Sequence, residues 1–279
     1  MTARVRQSSR LSLMLLAAAM LLISSCASLS SVGVGRIKEY TVESEKLPPC
    51  FDGCKVAFIS DIHYPSLFGK RRLPKLVRSL KNIAPDILLM GGDYVTDNDS
   101  IDALFSALSV VEPSHGAYAV LGNHERKNAA LIERSMNKYG IELLTDERVQ
   151  LCKDSSAIFL VGVRDGFAVD TIAPCLVNEA SDSAFVILLV HTPDYAERSL
   201  STADLVLSGH THGGQVSLFG LYTPVKNTAH GTRFLRGRNQ TTLGTTVITT
   251  NGVGTSRKKV RFCVPSEIVV ITLKSIIVH

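Results

Sequence analysis

Read only for hydrophobic and polar positions, the chain alternates two kinds of run. Short, almost wholly apolar stretches recur at 55–61 (KVAFISD), 86–93 (DILLMGGD), 116–125 (GAYAVLGNHE), 184–191 (AFVILLVH) and 203–210 (ADLVLSGH). Runs of that length and composition predict strands buried on both faces. Between the early ones the spacing changes. Leu73, Leu76, Val77, Leu80 and Ile83 recur at helical intervals, and further helices are predicted over 100–111 and, more polar, over 127–138. Strand-rich sequence fills 141–163, and the tail adds strands at 245–250 and 267–273. Alternating strands and helices followed by an all-β tail predict an α/β fold, with two mixed β-sheets packed face to face and flanked by helices.

The carboxyl tips of the buried runs break the pattern. They end in Asp61-Ile62-His63, Gly91-Gly92-Asp93, Gly122-Asn123-His124-Glu125, His191 and Gly209-His210-Thr211-His212. Five of the eight histidines sit there. Ligands of α/β sheets bind outside the carboxyl ends of the strands. One polar tip is an ordinary turn. Five converging tips gather carboxylates and imidazoles whose desolvation costs several kcal/mol unless something neutralises them. Two divalent cations would do so. The donors are two Asp, one Asn and four His with no Cys, a set that suits Mn, Fe or Zn. Against two such ions the two aspartates leave about two positive charges over, fit for an anionic substrate. Two metals about 3.5–4 Å apart can clamp the oxygens of a displacement at phosphorus and lower the pKa of a bridging water.

The head of the chain reads as an export signal. Arg4, Arg6 and Arg10 precede an apolar run from Leu11 to Ile23, too short at about 20 Å for a bilayer core of ~30 Å. The run ends in LISSC, which resembles a bacterial lipoprotein box with Cys26 as the lipidated residue. An uncleaved signal anchor is the other reading. Either places the bulk of the chain on the exported side of a bacterial inner membrane or envelope. The expected organisation is a signal peptide over 1–25, a lipidated tether over 26–35 and one domain over 36–279. The formal charge of +5 owes three units to those arginines, so no nucleic-acid partner is expected. The basic clusters GKRR at 69–72 and RKKVR at 257–261 read as solvated surface. Cys50 and Cys54 are close enough to pair in an oxidising compartment, whereas Cys152, Cys175 and Cys263 read as buried thiols.

In this order the segments SDIH, GGDYV, GNHE, a lone His and GHTHGG resemble the calcineurin-like metallophosphoesterases, from Ser60 to Gly214. The segments NGVGT and VRFCVPSEIVVITL further resemble a bacterial membrane-associated subgroup, some of which act on phospholipid-type or lipid A precursor substrates. The resemblance implies an αββα sandwich and a phosphoesterase with two divalent metals. It implies that Asp61, His63 and His212 hold the first metal, that Asn123, His191 and His210 hold the second, and that Asp93 bridges them. His124 would hydrogen-bond the phosphoryl group and protonate the leaving oxygen. Strand-like alternation would turn His210 and His212 toward different ions. One position departs from the pattern. Relatives carry a carboxylate three residues after the bridging Asp to orient the catalytic His, and here Thr96 stands there with Asp97 one later.

The expected substrate is a lipid-linked or envelope phosphoester or phosphoanhydride. A UDP-2,3-diacylglucosamine pyrophosphatase of lipid A biosynthesis is the alternative, although export conflicts with a nucleotide-linked substrate made in the cytoplasm. A non-catalytic surface lipoprotein on the same scaffold is a further one. An amidohydrolase-type site would open with His-x-His, where this chain has Asp61-x-His63. His230 is a candidate substrate contact, His115 a turn residue and His279 a terminus. Leu67 and Phe68 are candidates for a rim facing an amphipathic substrate or headgroups.

Overall fold

The computed structural model describes residues 13–15, 34–65, 69–164, 176–178, 184–198, 202–218, 220, 222–256 and 260–276. The signal peptide apart from Leu13–Leu15, Cys26 and most of its tether, Leu67, Phe68, Cys175, Arg257 to Lys259 and His279 lie outside the described residues. Among the described residues no helix is long and apolar enough to cross a membrane.

Twelve strands form two six-stranded mixed sheets. The first runs β1 (Arg36–Ser44), β12 (Glu267–Ser275), β2 (Lys55–Ile59), β3 (Ile87–Met90), β4 (Ala117–Ala119) and β5 (Ile141–Leu143). The second runs β10 (Gly237–Gln240), β11 (Thr246–Thr249), β9 (Leu205–Ser208), β8 (Val186–Val190), β7 (Ser156–Val163) and β6 (Glu147–Lys153). Among the described residues the helices that flank these sheets are α1 (Gly69–Ile83), α2 (Ile101–Ser109), α3 (Ala129–Lys138) and the short α4 (Asp194–Arg198).

The all-apolar strands are explained by their two faces. Side chains alternate along a strand, so a strand covered on both sides needs apolar residues at every position. In β2, Val56 and Phe58 face the other sheet while Ala57 and Ile59 face the helices. In β8, Ile187 and Leu189 join that same inter-sheet core, and Val186, Leu188 and Val190 pack outward with Tyr195 of α4 and Phe234. The α1 stripe of Leu73, Leu76 and Leu80 covers the outer face of the first sheet. These layers give the expected helix–sheet–sheet–helix order.

The boundaries differ where polar side chains take over. The expected strand over 116–125 is only Ala117–Ala119, followed by a 3-10 turn over Asn123–Lys127. Helix α1 begins at Gly69, four residues before the expected start. β10 and α4 carry too little apolar periodicity to be seen in the sequence. Cys152, expected buried, is exposed on the edge strand β6, where its inward neighbour Leu151 takes the core position. Cys50 and Cys54 carry free thiols, the Cys50 Sγ donating to Lys153 O at 3.4 Å.

Candidate metal centre

Backbone pairing continues past the strand ends. The Asp61 N–H donates to Gly92 O at 2.9 Å and the His63 N–H to Asp93 O at 3.0 Å, so the tips after β2 and β3 run side by side. In the second sheet the Gly209 N–H donates to His191 O at 3.0 Å and ties the tip of β9 to that of β8. These pairs of strands are parallel, so their polar tips meet at one end of the sandwich.

The backbone there leaves strand geometry. Asp61, His63, Asp93, His210 and His212 all have positive φ, from 47° to 68°. That region is uncommon for residues other than glycine and costs about 1–3 kcal/mol each. His210 and His212 therefore do not diverge by strand alternation, as the sequence suggested. Each is turned by a left-handed residue, His212 within a 3-10 turn over His212–Gly214.

Two groups of donors result. In the first, Asp61, His63, Asp93 and His212 are all buried, with ligand-capable atoms within 4.8 Å of one another. His212 Nε2 lies 3.2 Å from His63 Nε2 and 3.2 Å from Asp61 Oδ1. In the second, Asn123 Oδ1 lies 2.9 Å from His210 Nδ1 and 3.2 Å from His191 Nε2, and those two ring nitrogens are 3.2 Å apart. Asp93 Oδ2 stands between the groups, 3.5 Å from both His63 Nε2 and His191 Nε2.

The arrangement fits cations. His191 Nδ1 lies 2.6 Å from the Gly91 carbonyl and must donate to it. A neutral His191 then presents a lone pair at Nε2, aimed at the carbonyl oxygen of Asn123. In the metal-free chain that nitrogen carries a proton facing Asp93 and Asn123 instead, and a cation at the centre of each group takes the place of such protons among the converging acceptors.

Charge at the site follows from burial and proximity. Burial pushes the Asp61 carboxyl up, and it holds the His63 ring down to about 4 and the His212 ring well below its ordinary value. Burial opposes charge on Asp93 and His191 too, but each stabilises the other. His191 is raised to about 10, and the Asp93 carboxyl is held well below the usual carboxylate range. Without a cation these two form a buried ion pair.

Several residues hold this geometry, and the sequence singled out few of them. A Cβ on Gly122 would sit 2.3 Å from Asp93 Oδ1, and one on Gly209 2.4 Å from Asp61 Oδ2, so only glycine lets these tips close. Glu125 is fully buried and accepts the N–H groups of Asp93, Tyr94 and Gly122 at 2.8, 2.8 and 2.9 Å. It joins the second and third tips, and burial pushes its carboxyl up to about 7. An acid three residues after Gly122 is capping-box spacing, the one sequence signal for it. Arg261, read as part of a solvated cluster, is buried instead. Its guanidinium donates to the carbonyls of Asn251 at 2.6 Å, Gly254 at 2.6 Å and His212 at 3.2 Å. Isolated in a run of charges, it carried no signal of burial.

His124 is different. Its side chain is 46% exposed, with Nε2 3.8 Å from Asp93 Oδ2. Its N–H donates to Asp93 Oδ1 at 3.0 Å, and its ring meets His63 edge-on at 4.9 Å. Asp97 does not orient it, because the Asp97 carboxylate caps the Ser100 N–H at 3.0 Å, and the Thr96 hydroxyl donates to Tyr64 O. His230 packs against Phe234 at 5.4 Å, and the His115 N–H donates to Asp86 O in a turn.

A cavity of about 730 Å³ opens onto Asp93, Asn123, His124, His210 and His212. Its outer wall is Val216, Pro224, Val225 and Ala229. Asp194 braces that wall by accepting the Thr228 hydroxyl and the Ala229 N–H.

Comparison with known proteins agrees with this site. The family model described as calcineurin-like phosphoesterase matches residues 54–214. An uncharacterized metallophosphoesterase of Aquifex aeolicus is 32% identical over 249 residues, covering 86% of this chain and 92% of that protein. The phosphodiesterase YaeI of Escherichia coli K12 is 30% identical over 212 residues, covering 72% of this chain and 75% of that one. A transmembrane protein with metallophosphoesterase domain from Danio rerio is 28% identical, covering 86% of this chain and 57% of its own length.

Proposed function

This chain belongs to the calcineurin-like phosphoesterases, hydrolases of phosphoester bonds that use a dinuclear divalent metal centre, and from that premise we propose that it cleaves a phosphodiester of a lipid-linked or envelope substrate. The observation that carries the substrate reading is the cavity. Polar catalytic groups form its floor, and Val216, Pro224, Val225 and Ala229 form its outer wall. These aliphatic groups suit an apolar group beside the phosphorus, with Gln215, Asn227, Thr228 and Ser256 of the same lining available to a polar headgroup.

Asp61, His63 and His212 would hold one ion, Asn123, His191 and His210 the other, and Asp93 both. When bound, the pair supplies Lewis acidity toward the phosphoryl oxygens and an activated water. The chain's own residues do the rest. Asp93 is fixed by the Glu125 bond to its N–H, so the midpoint of the site is set from the backbone. His124, at the mouth and within reach of that midpoint, donates a hydrogen bond to the phosphoryl group and a proton to the leaving oxygen. The relative named as a transmembrane protein supports action at a membrane, and the apolar run before Cys26 supports a tether on the exported side.

A hydrolysis screen of the full chain tests this. Run with Mn, Fe and Zn against monoesters, diesters and lipid pyrophosphates, it should favour diesters whose leaving alcohol bears acyl or alkyl chains. Preference for a nucleotide-linked pyrophosphate would overturn the substrate reading, and protection of the domain from protease in inside-out vesicles would place it on the exported face.

A further inference from the structure

The mouth of the cavity carries large exposed apolar side chains. Leu218 is 48% exposed, Tyr222 61%, Val225 55% and Val260 56%. They belong to two segments that pack together. The Leu218 N–H donates to Tyr222 O at 2.8 Å, closing a small hairpin. The Ser217 N–H donates to Phe262 O at 2.9 Å and the Phe262 N–H to Gln215 O at 2.8 Å, laying the Val260 segment alongside. Val216 and Val225 also line the cavity, so the exposed patch and the site wall are continuous.

The charge of this part of the chain is one-sided. From Leu205 to Ser266 there is no Asp or Glu, while eight Lys and Arg occur in the same stretch. Not all of these face solvent: Arg261 is buried and Arg233 pairs with Glu197 at 3.4 Å. The stretch as a whole is nonetheless cationic in a chain whose total formal charge is only +5. Exposed aliphatic and aromatic side chains beside a basic stretch of sequence, whose acidic neighbours Asp194 and Glu197 are engaged with Thr228, Ala229 and Arg233, are what an anionic bilayer surface rewards, through burial of the apolar tips and attraction of the basic groups. A single-stranded nucleic acid would need several aromatic faces for stacking, and Tyr222 is the one aromatic among the four exposed residues.

We propose that the hairpin holding Leu218 and Tyr222, with Val225 and Val260, docks the mouth of the site onto an anionic phospholipid bilayer. The substrate then enters from the membrane without crossing water. This rests on the reading of the substrate as lipid-linked.

The chain contains no tryptophan, so a single introduced one reports its own surroundings. The full chain carrying Y222W is mixed with vesicles of phosphatidylcholine, with or without phosphatidylglycerol, whose acyl chains are brominated. The expected result is a shift of emission to shorter wavelength and quenching on the phosphatidylglycerol vesicles, both weaker at high salt. Binding of vesicles by the N-terminal run alone would act on Y222W and on a control variant alike, so the difference between the two is what is read. L243W is the control, since Leu243 is 58% exposed in the same acid-free stretch but precedes β11, at the opposite end of the sheet. L218W repeats the measurement should Y222W fail to fold. Unshifted emission from both hairpin variants overturns the proposal. So does equal quenching of L243W, or a response to single-stranded RNA in place of vesicles. Hydrolysis of bis(p-nitrophenyl) phosphate by the same proteins separates the two readings. If the wild type leaves that diester intact, the enzymatic reading fails while the emission still decides the docking.

Discussion

The Asp61, His63 and His212 group and the Asn123, His191 and His210 group both meet at Asp93, but the chain builds them differently. All three side chains of the first group are buried, and all three residues have positive φ. In the second group only His210 has positive φ; His191 is fully buried, while Asn123 and His210 line the open cavity together with His212 of the first group. The first half-site is held by strained backbone, by Gly209 packed on Asp61 and by Arg261 bonded to the His212 carbonyl. The second draws its side chains from three strand tips, with His191 anchored to the Gly91 carbonyl. Rigidity is concentrated where a cation must stay, and access where the phosphoryl group must arrive.

The largest expected effect removes what the half-sites share. Asp93→Asn should abolish hydrolysis and empty both positions, as metal analysis of the purified protein would show. His124→Ala should lower turnover by about 10²–10⁴-fold. Two equivalents of metal should remain bound, and metal loss equal to that of Asp93→Asn would remove His124 from its assigned role.

Gly209→Ala sharpens the contrast between the halves. Its Cβ would press on Asp61 Oδ2, so affinity at the first position should fall by about 10–100-fold. The second position should weaken less, through the His210 N–H that donates to the same carboxylate, and titration with a metal whose spectrum separates the sites would see unequal losses. In the wild type a chelator should strip the open second position first, giving two phases of release.

The smallest effect is a proton. His191 in the metal-free protein is raised to about 10 and is charged at neutral pH. A cation needs its Nε2 lone pair, so metal uptake should expel a proton, and affinity should rise with pH until about 10. Proton release measured in buffers of different ionisation enthalpy would show it, and uptake without release would mean that Asp93 and His191 are not paired.

Much of this was open to reading because it is local. Alternation along β2, β3, β8 and β9 is a property of consecutive residues, and a strand with no polar position must be covered on both faces. The tips were legible for the same reason: Asp61-x-His63 and His210-x-His212 place polar residues where the apolar run has just ended. Tertiary structure alone decided which tip meets which. His210 and Asn123 are 87 residues apart, and only the parallel order of β8 and β9 beside the first sheet's tips brings them to 2.9 Å. It also decided the state of single residues in ambiguous surroundings. Arg261 was buried by carbonyls gathered from 212 to 254, Asp97 was diverted to a cap, and Cys152 was left outside by the edge position of β6. Hydrophobic periodicity records which face of an element is covered; it holds no record of what a polar side chain will find across the fold, because that partner belongs to another part of the chain.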